Sequence, residues 1–373
     1  MSDKVKKLIY QMQYNLYFCT SDYWKMTVDI ANSAALLGRM AAASHKVATV
    51  AHTHPDGDAA GSSIGMACWL ESLGKEVRCI FPDPTPSTID FVYKGERKEK
   101  TLFFSKEPET VKTWLQDCDL IVVLDMNDIK RSEGLSDILK AHPAPKVLVD
   151  HHLEPSRDQF ALTVSETEIS SASELVYWLL KELCGNGVGK ISLECASALM
   201  TGMTTDTNNF ANSTWPSTLE MASQLLAMGV DRDFIVEHIN WHYGENRLRA
   251  LGMLLGTRMA VTPEGVAYMV LYKEDTDHYG LEDGDTEGFV NMPLAIAKVR
   301  MSILLKEDKG YFRISIRSKK GTSAATCATK YFHGGGHENA SGGKLFFPQD
   351  IPAPADAPQY VQYMIKDYFG NES

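Results

Sequence analysis

The sequence contains no CxxC pair, no internal repeat and no low-complexity stretch. Its cysteines, at 19, 68, 79, 118, 184, 195 and 327, are scattered and odd in number. That argues against a disulfide framework or a zinc knuckle and for a reducing cytoplasm. Every apolar run meets a charged or polar residue well before the ~18 positions that a membrane span needs. No span, and no membrane partner, is expected. Positive charge is in deficit: 37 Lys and Arg stand against 48 Asp and Glu, for a net charge of −11. Long-range repulsion argues against a general duplex-DNA binder. A divalent-metal site reverses this locally, because each ion offsets two carboxylates. The opening residues carry lysines and then apolar residues broken by polar ones, with no small-residue cleavage site. They read as an extension over 1–26 and not as a signal peptide, and Met26 is an alternative start.

The chain has 373 residues, 44% hydrophobic and 23% charged, which is the profile of a folded protein able to bury a core without staples. From residue 27, helical and strand patterns alternate. Helices are expected at 29–43, 58–73, 129–141, 171–184 and 192–203. The segments 46–51 and 146–149 read as short buried strands, 77–81 as a strand, and 120–124 as a continuous apolar run expected of a central parallel strand. Such alternation predicts an α/β fold with a parallel sheet. Residues 217–257 read as almost wholly helical. Beyond Pro263 the pattern changes to a smaller α+β unit, with strands at 265–272, 302–306 and 311–317, a helix near 291–299 and a closing helix at 359–369. The division expected is an extension (1–26), a catalytic domain (27–230), a helical linker (231–258) and a second domain (259–373).

Histidines and aspartates fall at the carboxyl ends of the expected strands, the edge where open α/β sheets bind ligands. The sequence 52-HTHPDGD-58 follows strand 46–51. Its oxygen and imidazole donors suit Mn²⁺ or Mg²⁺, and the lack of thiolates argues against structural zinc. Alternatively, Asp56 or Asp58 simply caps the next helix. The small residues of that helix (AAGSSIG) would let it approach the sheet closely. Asp125 ends LIVVLD, where an unpaired carboxylate is expensive to bury. Asp150-His151-His152 ends KVLVD, and Asp206 lies in MTTDT. Taken alone, His151 and His152 read rather as surface residues, and Asp206 as an ordinary helix end or turn. Together, His52, Asp56, Asp58, Asp125, His151 and Asp206 match the donor number that a pair of divalent ions ~3.5–4 Å apart requires.

The motifs HTHPDGD, VVLD, VDHH and TTDT, followed by RISIRSK and HGGGHENASGG, resemble the DHH/DHHA1 phosphoesterase family over about residues 27–347. Among its subgroups, the chain is similar to the stand-alone cytoplasmic one, which degrades very short oligoribonucleotides and 3′-phosphoadenosine 5′-phosphate. Other members hydrolyse cyclic dinucleotides or pyrophosphate. The resemblance implies that His52 and Asp56 hold one ion, that Asp58, His151 and Asp206 hold the other, and that Asp125 bridges both. It implies a metal-bridging hydroxide as nucleophile, His152 facing the substrate phosphate, and Asp150 orienting a ligand histidine. Two positions depart from the family: His54 stands where Asn is usual, and His333 where a glycine is usual.

Residues 294–330 carry nine Lys or Arg against two acids. Most read as a solvated face. Arg317 and Ser318 at a strand end, and Gly334, Gly335, Gly336 and His337, are the expected contacts to a nucleotide. The glycine amides would cradle a phosphate or base edge, helped by a helix starting nearby. These readings amount to an α/β DHH domain and a smaller α+β DHHA1 domain with the active-site cleft between them. The expected chemistry is a two-Mn²⁺ (or Mg²⁺) hydrolase of short oligonucleotides or 3′-phosphoadenosine 5′-phosphate. A cyclic-dinucleotide phosphodiesterase, and a catalytically silent nucleotide sensor, are the alternatives. The sequence is also compatible with a homodimer.

Overall fold

The computed structural model describes residues 26–241, 244–282 and 284–370. The expected extension therefore lies outside the described residues apart from Met26. The chain divides at residues 242 and 243 into two compact units.

The first unit contains a parallel sheet of β1 (Lys46–Val50), β2 (Glu76–Phe81), β3 (Thr101–Phe103), β4 (Leu120–Leu124), β5 (Lys146–Asp150) and β6 (Leu162–Ser165). Among the described residues its order is β3-β2-β1-β4-β5-β6. Every residue of β4 and β5 is buried, which is why β4 and the Val147–Val149 stretch of β5 read as unbroken apolar runs. Chain order runs outward in opposite directions from the β1–β4 pair. That pair is therefore the switch point, where adjacent crossovers leave to opposite sides and a crevice opens at the carboxyl ends. The short strands β3 and β6 gave no clear sequence signal because they are only 3 and 4 residues long.

The helix Gly57–Ser72 is buried at every position through Leu70. Its small residues do permit close approach, but the tightest contact is with helix Leu193–Asp206 and not with the sheet. A Cβ on Gly61 would stand 2.4 Å from the Ala198 carbonyl oxygen and 2.8 Å from the Gly202 nitrogen. The single helix expected over 129–141 is instead a 3₁₀ turn, Ile129–Leu135, followed by a helix Ser136–Ala141. The break falls at Glu133, whose φ is +40°.

The second unit holds a mixed sheet of β7 (Met259–Val261), β8 (Val266–Leu271), β9 (Met301–Asp308), β10 (Tyr311–Ser318), β11 (Gly335–His337) and β12 (Ala340–Phe346). Among the described residues the order is β11-β12-β10-β9-β8-β7, with only β8 and β9 parallel. Alternation along β10 buries Phe312, Ile314 and Ile316 under helices Ala324–Tyr331 and Ala357–Phe369 and turns Arg313 and Arg317 to the other face. The helix expected near 291–299 is a 3₁₀ turn, Phe289–Ala295, containing Pro293. Proline lacks the N–H and the ring clearance that an α-helix interior needs. Among the described residues no helix is long and apolar enough to cross a membrane, and the six described cysteines are free.

Candidate metal centre

The Pro- and Gly-bearing loop after β1 turns sharply, with His54 at φ +49°. The Thr53 N–H donates to the Arg131 carbonyl at 2.9 Å. The His52 Nδ1 bonds the Thr53 carbonyl at 2.7 Å, so that nitrogen carries the proton and Nε2 is the donor atom turned toward Asp125, 3.3 Å from its Oδ2. Asp56 caps the helix and also lies in a candidate ligand cluster. Its Oδ1 accepts the N–H of Asp58 at 2.9 Å and of Ala59 at 3.1 Å, and the residue shares the cluster with His52 and Asp125.

Asp58 is 1% exposed. Its carboxylate accepts the N–H groups of Ala172 at 2.7 Å and Ser173 at 2.9 Å, the first turn of helix Ala172–Gly185. This places a helix N-terminus behind the carboxylate, where the dipole favours negative charge. Close packing of helices Gly57–Ser72 and Leu193–Asp206 carries Asp206 to the same place. Asp58 and Asp206 stand 3.9 Å and 3.5 Å from the His151 Nε2.

Asp125 leaves β4 with φ +55°, an uncommon value for a non-glycine residue, and is 3% exposed. Its Oδ1 stands 3.4 Å from the His151 Nε2 and 3.8 Å from the His152 Nδ1. The ligand atoms thus form two triads, His52–Asp56–Asp125 and Asp58–His151–Asp206, and a third cluster, Asp125–His151–His152, lies across them, the atoms of each within 4.8 Å of one another. Asp125 reaches both triads.

The charges show what these groups lack. Burial raises the Asp58 carboxyl well above its ordinary range, and repulsion from Asp125 and Asp206 adds to it. Burial also lifts Asp206 to about 7, against the attraction of His151. Burial would lift Asp125 as well, but the His151 and His52 rings bonded to it hold it well below the usual range. Burial would depress both imidazoles, yet the carboxylates prevail: His52 rises to about 9, and His151 also rises well above its ordinary value. Carboxylates crowded in a buried space, short of positive charge, with imidazoles as the only nitrogen donors, fit divalent cations of the Mn²⁺ or Mg²⁺ kind.

Around the triads, Asp150 is fully buried and bonds the His152 Nδ1 at 2.7 Å and its backbone N–H at 3.1 Å. The ring it holds is thus His152, which clusters with Asp125 and His151. Two residues here were not singled out from sequence. Asp83 accepts from the Thr53 hydroxyl and, at 3.2 Å, from the His54 N–H. It lies just beyond β2, so the signal that marked Asp125, a carboxylate at a strand end, could have found it. Arg131 bonds His152 at 3.0 Å, and nothing in its local sequence signals this. The His54 side chain is exposed and 4.0 Å from Asp83.

In the second unit, Arg317 is half-buried, and its Nη1 donates to the Ile316 carbonyl at 3.0 Å. Burial pulls its guanidinium below the ordinary value, with Glu287 in part opposing. The Ser318 hydroxyl is engaged internally, donating to the Thr322 carbonyl at 2.6 Å and accepting from Asn339 at 2.9 Å. The glycine run is a strand and not a phosphate loop at a helix start: helix Ala324–Tyr331 ends before it. Gly334 is glycine because a Cβ would fall 1.9 Å from the Gly342 carbonyl oxygen, and Gly336 has φ +141°. Gly335 alone of the three has open space, its nearest neighbour being Thr329 Oγ1 at 3.9 Å. His337 is exposed beside it. His333, at φ +47°, pairs with Asp350 at 3.0 Å.

Similarity to known proteins agrees with this geometry. The bifunctional oligoribonuclease and PAP phosphatase NrnA of Thermus thermophilus is 30% identical over 79% of this chain and 82% of its own. The cyclic-di-AMP phosphodiesterase GdpP of Geobacillus thermodenitrificans is 26% identical over 89% of this chain, which spans 49% of that longer protein. The crystal structure of an exopolyphosphatase-related protein from Bacteroides fragilis superposes with a TM-score of 0.83 at 34% identity, covering 90% of this chain and 96% of that one. Residues 46–203, which hold both triads apart from Asp206 three residues beyond, match the DHH family N-terminal domain, and residues 264–355, which hold the glycine strand, match the DHHA1 domain; the chain belongs to the DHH phosphoesterase family.

Proposed function

We propose that the protein is a two-metal phosphoesterase acting on short oligonucleotides and on 3′-phosphoadenosine 5′-phosphate. The observation that carries the chemistry is the Asp125 carboxylate, which clusters with His52 and Asp56 and stands 3.4 Å from the His151 Nε2 of the other triad. His52 and Asp56 would hold one ion, Asp58, His151 and Asp206 the other, and Asp125 both. Divalent ions so held, manganese first and magnesium as substitute, polarise a phosphoryl oxygen and lower the pKa of water. The protein's own residues prepare the site. Thr53 fixes the His52 tautomer, and the N-terminus of helix Ala172–Gly185 steadies Asp58. In the second unit, Arg317, Gly335 and His337 would capture the nucleotide.

The substrate class rests on NrnA, which is related along most of both chains. A second reading, cyclic-dinucleotide hydrolysis, is favoured by the GdpP match over 89% of this chain. A substrate panel with Mn²⁺-loaded protein separates them. Oligomers of about two to five nucleotides and 3′-phosphoadenosine 5′-phosphate should turn over at least about tenfold faster than an oligomer of roughly 24 nucleotides. Fastest turnover of a cyclic dinucleotide would install the second reading. No hydrolysis of any phosphate ester would overturn both.

A further inference from the structure

We propose that Arg131 binds the substrate's phosphoryl group in the first unit, and that His152 acts by aiming Arg131. This inference rests on the phosphoesterase reading above. Arg131 lies in the Ile129–Leu135 turn, which is held from several sides. The Arg131 carbonyl accepts the Thr53 N–H at 2.9 Å. Asp128 caps the turn by accepting the Lys130 N–H at 2.8 Å, and it also accepts from Ser156 at 3.0 Å and Gln159 at 3.2 Å. The backbone that carries the guanidinium is therefore fixed against the loop bearing His52.

Hydrogen-bond capacity then divides the roles. Arg131 Nη1 is 3.0 Å from the His152 Nε2. A guanidinium only donates, so Nε2 accepts and the ring proton sits on Nδ1, directed at Asp150 2.7 Å away. In this arrangement His152 has no N–H left for a phosphate oxygen. Arg131 retains most of its five donors, and among the described residues no carboxylate pairs with it. The planar fork that remains suits two phosphoryl oxygens.

Charge balance supplies the need. Asp56, Asp58, Asp125 and Asp206 offset the full charge of two divalent ions, so these ligands leave the loaded centre with little net attraction for an anionic ester. A fixed guanidinium at the rim restores it.

The probe is inorganic phosphate, titrated calorimetrically into the Mn²⁺-loaded protein, alongside steady-state kinetics on a dinucleotide. Arg131→Gln should weaken phosphate binding and raise KM about ten- to hundredfold, with bound manganese unchanged. Arg131→Lys keeps the charge and the carbonyl contact to Thr53 but loses the fork. It should fall between the two, and it serves as the reporter if the Gln variant does not fold. His152→Ala should weaken phosphate binding in the wild-type background and add nothing in the Arg131→Gln background. Phosphate binding within about twofold of wild type in Arg131→Gln, loss of manganese from that variant, or additive losses with His152→Ala would each overturn the assignment. A wild type that binds phosphate through Arg131 but hydrolyses no ester would instead overturn the phosphoesterase reading and leave this assignment standing.

Discussion

Asp125 stands 3.3 Å from the His52 Nε2, a contact that joins the ends of β4 and β1 where the strand order reverses. The same carboxylate reaches the His151 Nε2 at 3.4 Å with its other oxygen. One side chain thus ties together three strand ends. A backbone held at φ +55° costs on the order of 1 kcal/mol. The surrounding strands hold it there, and the result is a carboxylate within reach of both candidate triads.

Asp125→Ala should therefore remove more than one ligand bond. It leaves both triads short of an oxygen, and hydrolysis should fall by on the order of 10³-fold or more. Circular dichroism should show the fold intact, while metal analysis shows fewer than two bound ions. Retention of substantial Mn²⁺-dependent turnover by this variant would refute the shared-carboxylate centre.

The titrating groups predict how pH acts on the metal-free protein. Asp206, raised to about 7, holds its proton more tightly folded than unfolded. Its contribution to stability is present below about pH 4 and is lost as pH rises through about 7. His52, raised to about 9, acts with the same sign between about 6.5 and 9. The metal-free protein should thus lose stability as pH climbs from mildly acidic to about 9, and Asp206→Asn should remove the lower part of that loss. Metal binding displaces these protons, so the rise in Tm on adding Mn²⁺ should be larger at about pH 8.5 than at about pH 6. Melting curves with and without Mn²⁺ across this range check it, and a metal effect independent of pH would contradict the assignment.

Gly61→Ala should separate the two helices that bring Asp58 and Asp206 together. Its Cβ would fall 2.4 Å from the Ala198 carbonyl oxygen, which is backbone and cannot swing aside. A loss of about 1–3 kcal/mol is expected, with weaker Mn²⁺ binding although no ligand has changed. Denaturant melts and metal titration report both effects, and an unchanged Mn²⁺ affinity would dissociate helix spacing from the metal centre.

The glycine strand offers a contrast between fold and recognition. Gly334→Ala drives a Cβ to 1.9 Å from the Gly342 carbonyl oxygen and should destabilise the second unit. Gly335→Ala meets open space and should keep wild-type stability. Any rise in KM for a dinucleotide in Gly335→Ala then reports on substrate capture.

Arg317→Ala and His337→Ala should each depress kcat/KM for a dinucleotide by roughly ten- to hundredfold and leave two Mn²⁺ bound. They should lose less activity on bis-p-nitrophenyl phosphate, which offers no nucleotide to hold. Equal losses on both substrates, or loss of metal, would place the residue in the hydrolytic centre or the fold.

Much of this molecule is written locally. The unbroken apolar runs 120–124 and 147–149 have to be central parallel strands, because both of their faces are covered. The polar residues following them then have to lie at the carboxyl edge. Hence His52, Asp56, Asp58, Asp125 and His151 are legible as a site from their positions along the chain, each lying at or shortly after a strand end. Pro293 makes the 289–295 segment a turn by removing a donor, a signal that is present but outweighed by its apolar neighbours. The tertiary structure decides what depends on distant partners. Asp206 ends a helix, and only the close packing of Gly61 on Ala198 brings it to Asp58. Gly334 is required by Gly342 across a hairpin, which composition cannot reveal. Arg131 meets His152 from a separate loop, and the Thr53–Arg131 hydrogen bond ties that loop to the one bearing His52. Sequence periodicity reports which face of an element is buried; the partner that meets it is fixed only when the chain closes on itself.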